Sequence, residues 1–152
     1  MLERGLVVGT QGNVSARDGD RILITPTALP YDAMTPDDVL VLGVEGERPP
    51  SSEWRLHAAI YKARPDANAI VHTHSPKATA WAHHGEDLSP EVRTAAWAKT
   101  GTAQLAVNAV KALGDRDAVL LADHGVVGVG ASLADALAVC ERVERLAGQA
   151  AP

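Results

Sequence analysis

The chain has 152 residues, with 14 lysines and arginines against 19 aspartates and glutamates, which gives a net charge of −5 and argues against nucleic-acid binding. With 46% hydrophobic and 22% charged residues, the composition is that of a globular domain rather than a disordered chain. No apolar run approaches the ~20 residues of a membrane-spanning helix, and the first residues lack the apolar core of a signal peptide, so we expect a cytoplasmic protein that binds no membrane.

The first half of the chain predicts a hairpin, a third strand and a helix. Alternating, β-branched residues at 13–17 and 21–25 flank an Asp-Gly turn, which is typical of a hairpin. After several prolines, a short apolar run at 39–42 predicts a third strand. The segment 51–53 supplies the N-cap and acidic first turn of an amphipathic helix that ends before Pro65.

The second half alternates between buried strands and helices. Apolar runs predict strands at 69–74, 118–121 and 126–129. Helical periodicity, with capping residues at the helix starts, predicts helices at 75–82, 102–114 and 132–148. We therefore expect residues 1–152 to form one domain with a mixed α/β or α+β fold, in which helices cover a sheet.

Three histidines mark a candidate metal site. His72 and His74 project from the same face of a strand, because strand side chains alternate, and so both imidazoles can reach one ion. Taken alone, such a pair is more often a surface or hydrogen-bonded pair than a pair of ligands. His124 ends an apolar strand and is followed by Gly125, where backbone can approach an ion closely. With a single cysteine in the chain, any metal must be held by histidines and carboxylates.

Other reactive side chains have two interpretations each. Glu53, at the start of the first helix, is either an ordinary helix-stabilising acid or a metal ligand and base. His57, one turn later, shares a face with Glu53, and we expect a satisfied buried histidine there. The pair at 83–84 is expected in a solvated loop or helix end, and Cys140 in the core.

A second cluster of loop residues predicts a site for an anion. Hairpin geometry brings the residues before the first strand, 12–13, near those after the second, 25–28. Ser51 and Ser52 can add hydroxyl and N–H groups from a helix N-terminus. Ordinary loop and N-cap chemistry accounts for each residue equally well. The anion site therefore requires that the fold bring these separate segments together.

These segments together resemble the class II aldolase/adducin family, over nearly the whole chain. The matching motifs, in order, are Gly-Asn-Val-Ser at 12–15, Leu-Ile-Thr-Pro-Thr at 23–27, Ser-Ser-Glu-Trp at 51–54, Arg-Pro-Asp-Ala-Asn-Ala at 64–69, His-Thr-His at 72–74 and His-Gly at 124–125. The resemblance implies a three-layer α/β fold around a mostly antiparallel sheet, assembled as a homotetramer with active sites at subunit interfaces.

The resemblance also implies a reaction and its residues. A zinc-dependent aldolase would cleave a sugar 1-phosphate, such as L-fuculose 1-phosphate, into dihydroxyacetone phosphate and an aldehyde through a metal-stabilised enediolate. One Zn²⁺ per subunit, replaceable by other divalent metals, would be held by His72, His74, His124 and Glu53, and Glu53 would also exchange the substrate proton. The phosphate would be bound by Gly12, Asn13, Thr27, Ala28, Ser51 and Ser52.

Some family features have no counterpart in this sequence. The N-terminal helix, the C-terminal tail and a tyrosine acid expected between 85 and 99 are not found. Ala28 stands where glycine is usual, a mild change if its φ is negative. A sugar-phosphate dehydratase, a 4-epimerase of the same family and a non-catalytic adducin-like module are the alternatives to an aldolase.

Overall fold

The computed structural model describes residues 1–150 as seven strands, four α-helices and two short 3₁₀ helices. The strands are β1 (Asn13–Asp18), β2 (Arg21–Ile24), β3 (Leu40–Val41), β4 (Ala69–Thr73), β5 (Val92–Ala95), β6 (Ala118–Leu121) and β7 (Gly125–Gly130). The α-helices are α1 (Trp54–Ala63), α2 (Pro76–Ala82), α3 (Ala103–Leu113) and α4 (Leu133–Ala150). The 3₁₀ helices are Leu2–Arg4 and Pro36–Asp38.

All seven strands belong to one sheet, in the order β3-β2-β1-β4-β7-β6-β5. Every neighbouring pair is antiparallel except β5 and β6, which are parallel. The prediction of a mostly antiparallel sheet is confirmed. The order places β1, β4 and β7 side by side at the centre, so residues far apart in sequence meet there.

Helices cover both faces of this sheet. In β4, Ile70 packs into a cluster with α1 and α3, whereas Val71 packs into a second cluster with α2 and α4. This division follows from the alternation of strand side chains, and it confirms the three-layer arrangement. The chain has no phenylalanine, and small residues let the layers approach closely. A Cβ at Gly128 of β7 would lie 2.5 Å from the Ala136 carbonyl oxygen of α4.

The structure corrects several predicted boundaries. β5 was not predicted, because Val-Arg-Thr-Ala is too short to show a periodicity, and parallel pairing with β6 holds it in the sheet. β3 is only two residues long. His124 does not end a strand: β6 stops at Leu121, and a tight turn carries His124 into β7. Glu53 occupies the N-cap of α1 rather than its first turn.

Within residues 1–150, none of the helices combines the length and the apolar character that crossing a bilayer requires.

Candidate metal and phosphate site

The three predicted histidines converge at the end of the central strands. His72 lies in β4, His74 directly follows it, and His124 comes from the turn before β7. Their ring centroids are 4.7 to 4.8 Å apart, and one ring nitrogen from each lies within 4.8 Å of the others. The antiparallel pairing of β4 with β7, in which Thr73 faces Val126, brings these distant segments together.

The ring nitrogens of this cluster are oriented as metal ligands. Nδ1 of His72 donates to the Val126 carbonyl at 3.0 Å, so Nε2 is the ring nitrogen that faces the cluster. That nitrogen lies 2.9 Å from Nε2 of His74. Burial, together with the charge of His72, lowers the pKa of His74 and of His124 to about 4, which leaves both neutral near pH 7. Neutral imidazoles are the form that binds metals.

Glu53 completes the cluster from the N-terminus of α1. Its Oε2 lies 3.0 Å from Nε2 of His72, and its Oε1 lies 3.6 Å from Nε2 of His124. Asn13 Nδ2 donates to Oε2 at 3.3 Å. Burial by itself raises the pKa of the carboxyl, but His72, His124 and the Asn13 hydrogen bond together lower it to about 2. The carboxylate is therefore ionised although only 3% of Glu53 is exposed.

These four side chains fit one divalent cation. Glu53 Oε1 is buried without a hydrogen-bond partner, and Nε2 of His72 faces both Nε2 of His74 and Oε2 of Glu53, although it carries at most one proton. Both arrangements are unfavourable in a low-dielectric interior unless a positive charge lies between the groups. Three imidazoles and one carboxylate are a ligand set that zinc accepts.

A cleft of about 150 Å³ opens directly beside this cluster. All six residues predicted to bind phosphate line it: Gly12, Asn13, Thr27, Ala28, Ser51 and Ser52. Glu53, His74 and His124 also line the cleft, whereas His72 is fully buried beneath it. The cleft residues include no lysine or arginine, so an anion there would be bound by N–H groups, hydroxyls and the N-terminal end of α1.

The backbone on one side of the cleft requires glycine. Gly12 has a φ of 75°, and a Cβ there would lie 2.5 Å from the His72 carbonyl oxygen. Ala28, on the opposite side, has a φ of 55°. The condition under which alanine would be a mild change, a negative φ, is therefore not met: the loop keeps the left-handed conformation that favours glycine.

Sequence reasoning missed three residues of the cleft: Thr10, Gln11 and Thr100. Thr100 comes from the loop before α3, and Gly101 holds that loop against the N-terminus of α1. The φ of Gly101 is 75°, and a Cβ there would lie 2.9 Å from the Ser52 carbonyl oxygen. The Thr-Gly-Thr sequence was interpretable as a helix start, and nothing local indicated that it reaches the cleft.

Residues predicted to lie outside the site do so. Cys140 is fully buried in the core between β4 and α4, and burial raises the pKa of its thiol. His83 and His84 are exposed after α2, where Nδ1 of His83 lies 2.7 Å from Asp123 Oδ1. His57 is fully buried and satisfied at both ring nitrogens, as expected, although its partners are Asn13 and Ser15 rather than Glu53.

Comparison with known proteins identifies relatives of the whole chain. Residues 1–151 match the family model described as Class II Aldolase and Adducin N-terminal domain. The chain belongs to the class II aldolase/adducin family. A relative from Rhodospirillum rubrum, named 5-methylthioribulose-1-phosphate/5-deoxyribulose-1-phosphate aldolase, is 41% identical over 95% of this chain and 72% of its own length.

Two further relatives carry a different substrate in their names. L-fuculose phosphate aldolase of Escherichia coli K12 is 37% identical over 97% of this chain and 75% of its own. A solved structure of L-fuculose 1-phosphate aldolase superposes with a TM-score of 0.92 at 38% identity, covering 97% of this chain and 78% of that one. This class II aldolase is thus a lyase by family, and its histidine–carboxylate cluster and the adjacent cleft lie within a fold shared with named aldolases.

Proposed function

We propose that this class II aldolase cleaves a sugar 1-phosphate into dihydroxyacetone phosphate and an aldehyde, with one Zn²⁺ per subunit. The observation that carries the proposal is that a single cleft joins a cation-binding cluster to a site for a phosphate. Glu53 belongs to both, since it approaches two of the three histidines and lines the cleft. His72, His74, His124 and Glu53 are the proposed ligands.

Glu53 is the proposed base. It is ionised and buried, and its Oε1 has no hydrogen-bond partner, so this oxygen is available to take a proton. We assign it the proton exchange at the carbon that bears the hydroxyl next to the keto group of dihydroxyacetone phosphate. A divalent cation held beside it supplies positive charge that stabilises the negative charge developing on the substrate oxygens when the carbon–carbon bond breaks.

Gly12, Asn13, Thr27, Ala28, Ser51 and Ser52 are the proposed phosphate-binding residues. Their N–H and hydroxyl groups line a cleft without cationic side chains, and the positive end of α1 adds to the field. Binding the phosphate there places the keto end of a short sugar near Glu53. In this orientation the cation and the Glu53 carboxylate can both act on the same part of the substrate.

The names of the relatives suggest which sugars to test. The relatives are named for 5-methylthioribulose 1-phosphate, 5-deoxyribulose 1-phosphate and L-fuculose phosphate. These sugar phosphates are the candidate substrates here. We also propose a cytoplasmic homotetramer built from one domain per chain. Light scattering after size exclusion tests the assembly, and a stable monomer would contradict it.

The experiment is a cleavage assay on this panel of three sugar phosphates, with dihydroxyacetone phosphate measured directly and with Glu53→Gln as the inactive control. We expect chelator-sensitive release from at least one of them. Loss of water or inversion at a carbon, without release of dihydroxyacetone phosphate, would instead assign the dehydratase or epimerase reaction. No conversion of any kind by fully metal-loaded protein would contradict the enzyme assignment and favour the adducin-like alternative.

A further inference from the structure

A chain of hydrogen bonds connects the Glu53 carboxylate to the interior of the protein. His57, one helical turn after Glu53, contacts Asn13 Oδ1 through Nε2 at 2.5 Å and Ser15 Oγ through Nδ1 at 2.6 Å. Ser15 Oγ also lies 3.0 Å from the Tyr61 hydroxyl. At the other end, Asn13 Nδ2 lies 3.3 Å from Glu53 Oε2. His57 is fully buried, and only 5% of Asn13 is exposed, at the cleft.

The placement of donors and acceptors gives this chain a single direction, with Asn13 Nδ2 facing Glu53 Oε2 and Asn13 Oδ1 facing His57 Nε2. A carboxylate only accepts, so Asn13 must turn its NH₂ group toward Glu53 and its carbonyl oxygen toward His57. His57 must then donate from Nε2, which leaves Nδ1 of the neutral ring as an acceptor for the Ser15 hydroxyl. Ser15 in turn accepts from Tyr61. Each of these donors meets an acceptor in this arrangement.

His57 contacts the side-chain amide of Asn13 and so affects which way that amide is turned. Asn13 pairs with His72 in the β1–β4 ladder, so its backbone is fixed by the sheet. Only the rotation of its side-chain amide remains to be set, and the two ends of an amide have nearly the same shape. A reversed amide would turn its oxygen toward the Glu53 carboxylate and repel it. The Nε2 donor of His57 holds the amide in the orientation that Glu53 requires, since a reversed amide would turn its NH₂ group toward that donor.

We propose that His57 is a positioning residue: by donating from Nε2 to Asn13 Oδ1, it holds the Asn13 amide so that the Glu53 carboxylate keeps its place among the three histidines. The inference rests on the proposed role of Glu53 as ligand and base. It assigns a function to a buried polar network that a purely structural core would fill with apolar side chains.

Three substitutions of His57 separate this role from packing. His57→Gln keeps an N–H donor near the position of Nε2, whereas His57→Asn is shorter and loses it. His57→Leu fills the same space without any donor, so either of the last two variants, once folded, suffices for the test. Tyr61→Phe is the matched control, because it removes the far hydroxyl of the network and leaves the contacts of His57 with Asn13 and Ser15 in place.

The first readout is the visible spectrum of the protein loaded with Co²⁺, which reports the number and type of metal ligands and needs no substrate. Glu53→Gln provides the spectrum of a site without the carboxylate. We expect His57→Asn and His57→Leu to shift toward that spectrum, and His57→Gln and Tyr61→Phe to match the original protein. Unchanged spectra in folded His57→Asn or His57→Leu would overturn the positioning role.

The second readout is kinetic. We expect His57→Asn and His57→Leu to lose about tenfold or more in kcat, with a smaller rise in KM because Asn13 is one of six proposed phosphate-binding residues, and His57→Gln to restore most of the rate. An equal loss in His57→Gln would overturn the proposal in favour of packing. If the unsubstituted protein were inactive while the Co²⁺ spectra shifted as expected, the reaction assignment would fail and the positioning role would stand.

Discussion

At the scale of single residues, the candidate site combines side chains that were each ambiguous in the sequence. The alternation of strand side chains made His72 and His74 predictable as neighbours, because they are two residues apart in one strand. The approach of His124 and Glu53 depends on the order of β1, β4 and β7 at the centre of the sheet. No local pattern encodes that order, so only the resemblance to a family joined the four residues in advance.

His124→Ala tests the ligand cluster. Removing one of three imidazoles should lower the affinity for Zn²⁺ by at least about 100-fold, because the remaining ligands no longer enclose the ion. Competition with a coloured chelator measures the change. His84→Ala, an exposed histidine outside the cluster, is the matched control and should bind one ion per chain with unchanged affinity. Full, tight occupancy in His124→Ala would remove His124 from the ligand set.

Ala28→Gly tests the strained side of the phosphate cleft. Because φ at Ala28 is 55°, glycine should relieve strain and stabilise the fold by about 0.5 to 1 kcal/mol, despite its greater freedom in the unfolded chain. Chemical denaturation gives the free energy of unfolding. Ala33→Gly, at an exposed turn residue without a positive φ, should destabilise slightly. Destabilisation of the same size in both variants would contradict the left-handed conformation at Ala28.

At the scale of elements, the strands and helices with a strong periodicity were predictable and the edges of the sheet were not. The hairpin, the four α-helices and strands β4, β6 and β7 all follow from patterns of apolar and capping residues. β5 was not predicted, because its four residues owe their strand conformation to pairing with β6. The loop carrying Thr100 reaches the cleft through packing on Ser52, which is a tertiary contact with no sequence signature.

Gly12→Ala tests the close contact between the β1 entry and β4. A Cβ there would meet both the His72 carbonyl oxygen and, at 2.9 Å, Val7 Cγ1, so the segment leading into β1 must move. Gly19→Ala is the matched control, because its φ of 59° is similar and nothing lies within 4 Å. We expect about 1 kcal/mol of destabilisation in Gly19→Ala and about 2 kcal/mol or more beyond that in Gly12→Ala, with weaker phosphate binding.

Urea denaturation of both variants, with phosphate binding measured by calorimetry, makes this comparison. Equal destabilisation of the two variants would show that φ strain alone acts at Gly12, and it would remove the steric argument for glycine at the cleft.

At the scale of the whole molecule, buried histidines link stability to pH. Burial, with the charge of His72, lowers the pKa of His57 to about 3, whereas the ordinary value in the unfolded chain is 6.5. The unfolded state therefore binds more protons between these pH values, so stability falls as the pH drops from about 6.5 toward 3. Lowered pKa values of His74 and His124 act in the same direction, and that of Glu53 adds to the effect below about pH 4.5.

The measurement is the free energy of unfolding of the metal-free protein between pH 8 and pH 4. We expect little dependence on these groups above pH 7 and a decline below it, to which the fully buried His57 contributes up to about 1.4 kcal/mol per pH unit. His57→Gln should flatten the decline while leaving the contributions of His74 and His124. An identical slope in His57→Gln would show that His57 titrates normally in the folded protein.

The central claim is that Glu53 and a metal held by three histidines act together on a keto-phosphate. Solvent deuterium exchange into dihydroxyacetone phosphate, followed by NMR, tests it most directly because it needs no knowledge of the aldehyde. We expect exchange in the zinc-loaded protein, its loss on adding a chelator, and its loss in Glu53→Gln with zinc still bound. Exchange that persists in zinc-loaded Glu53→Gln, or no exchange by zinc-loaded unsubstituted protein, would contradict the account.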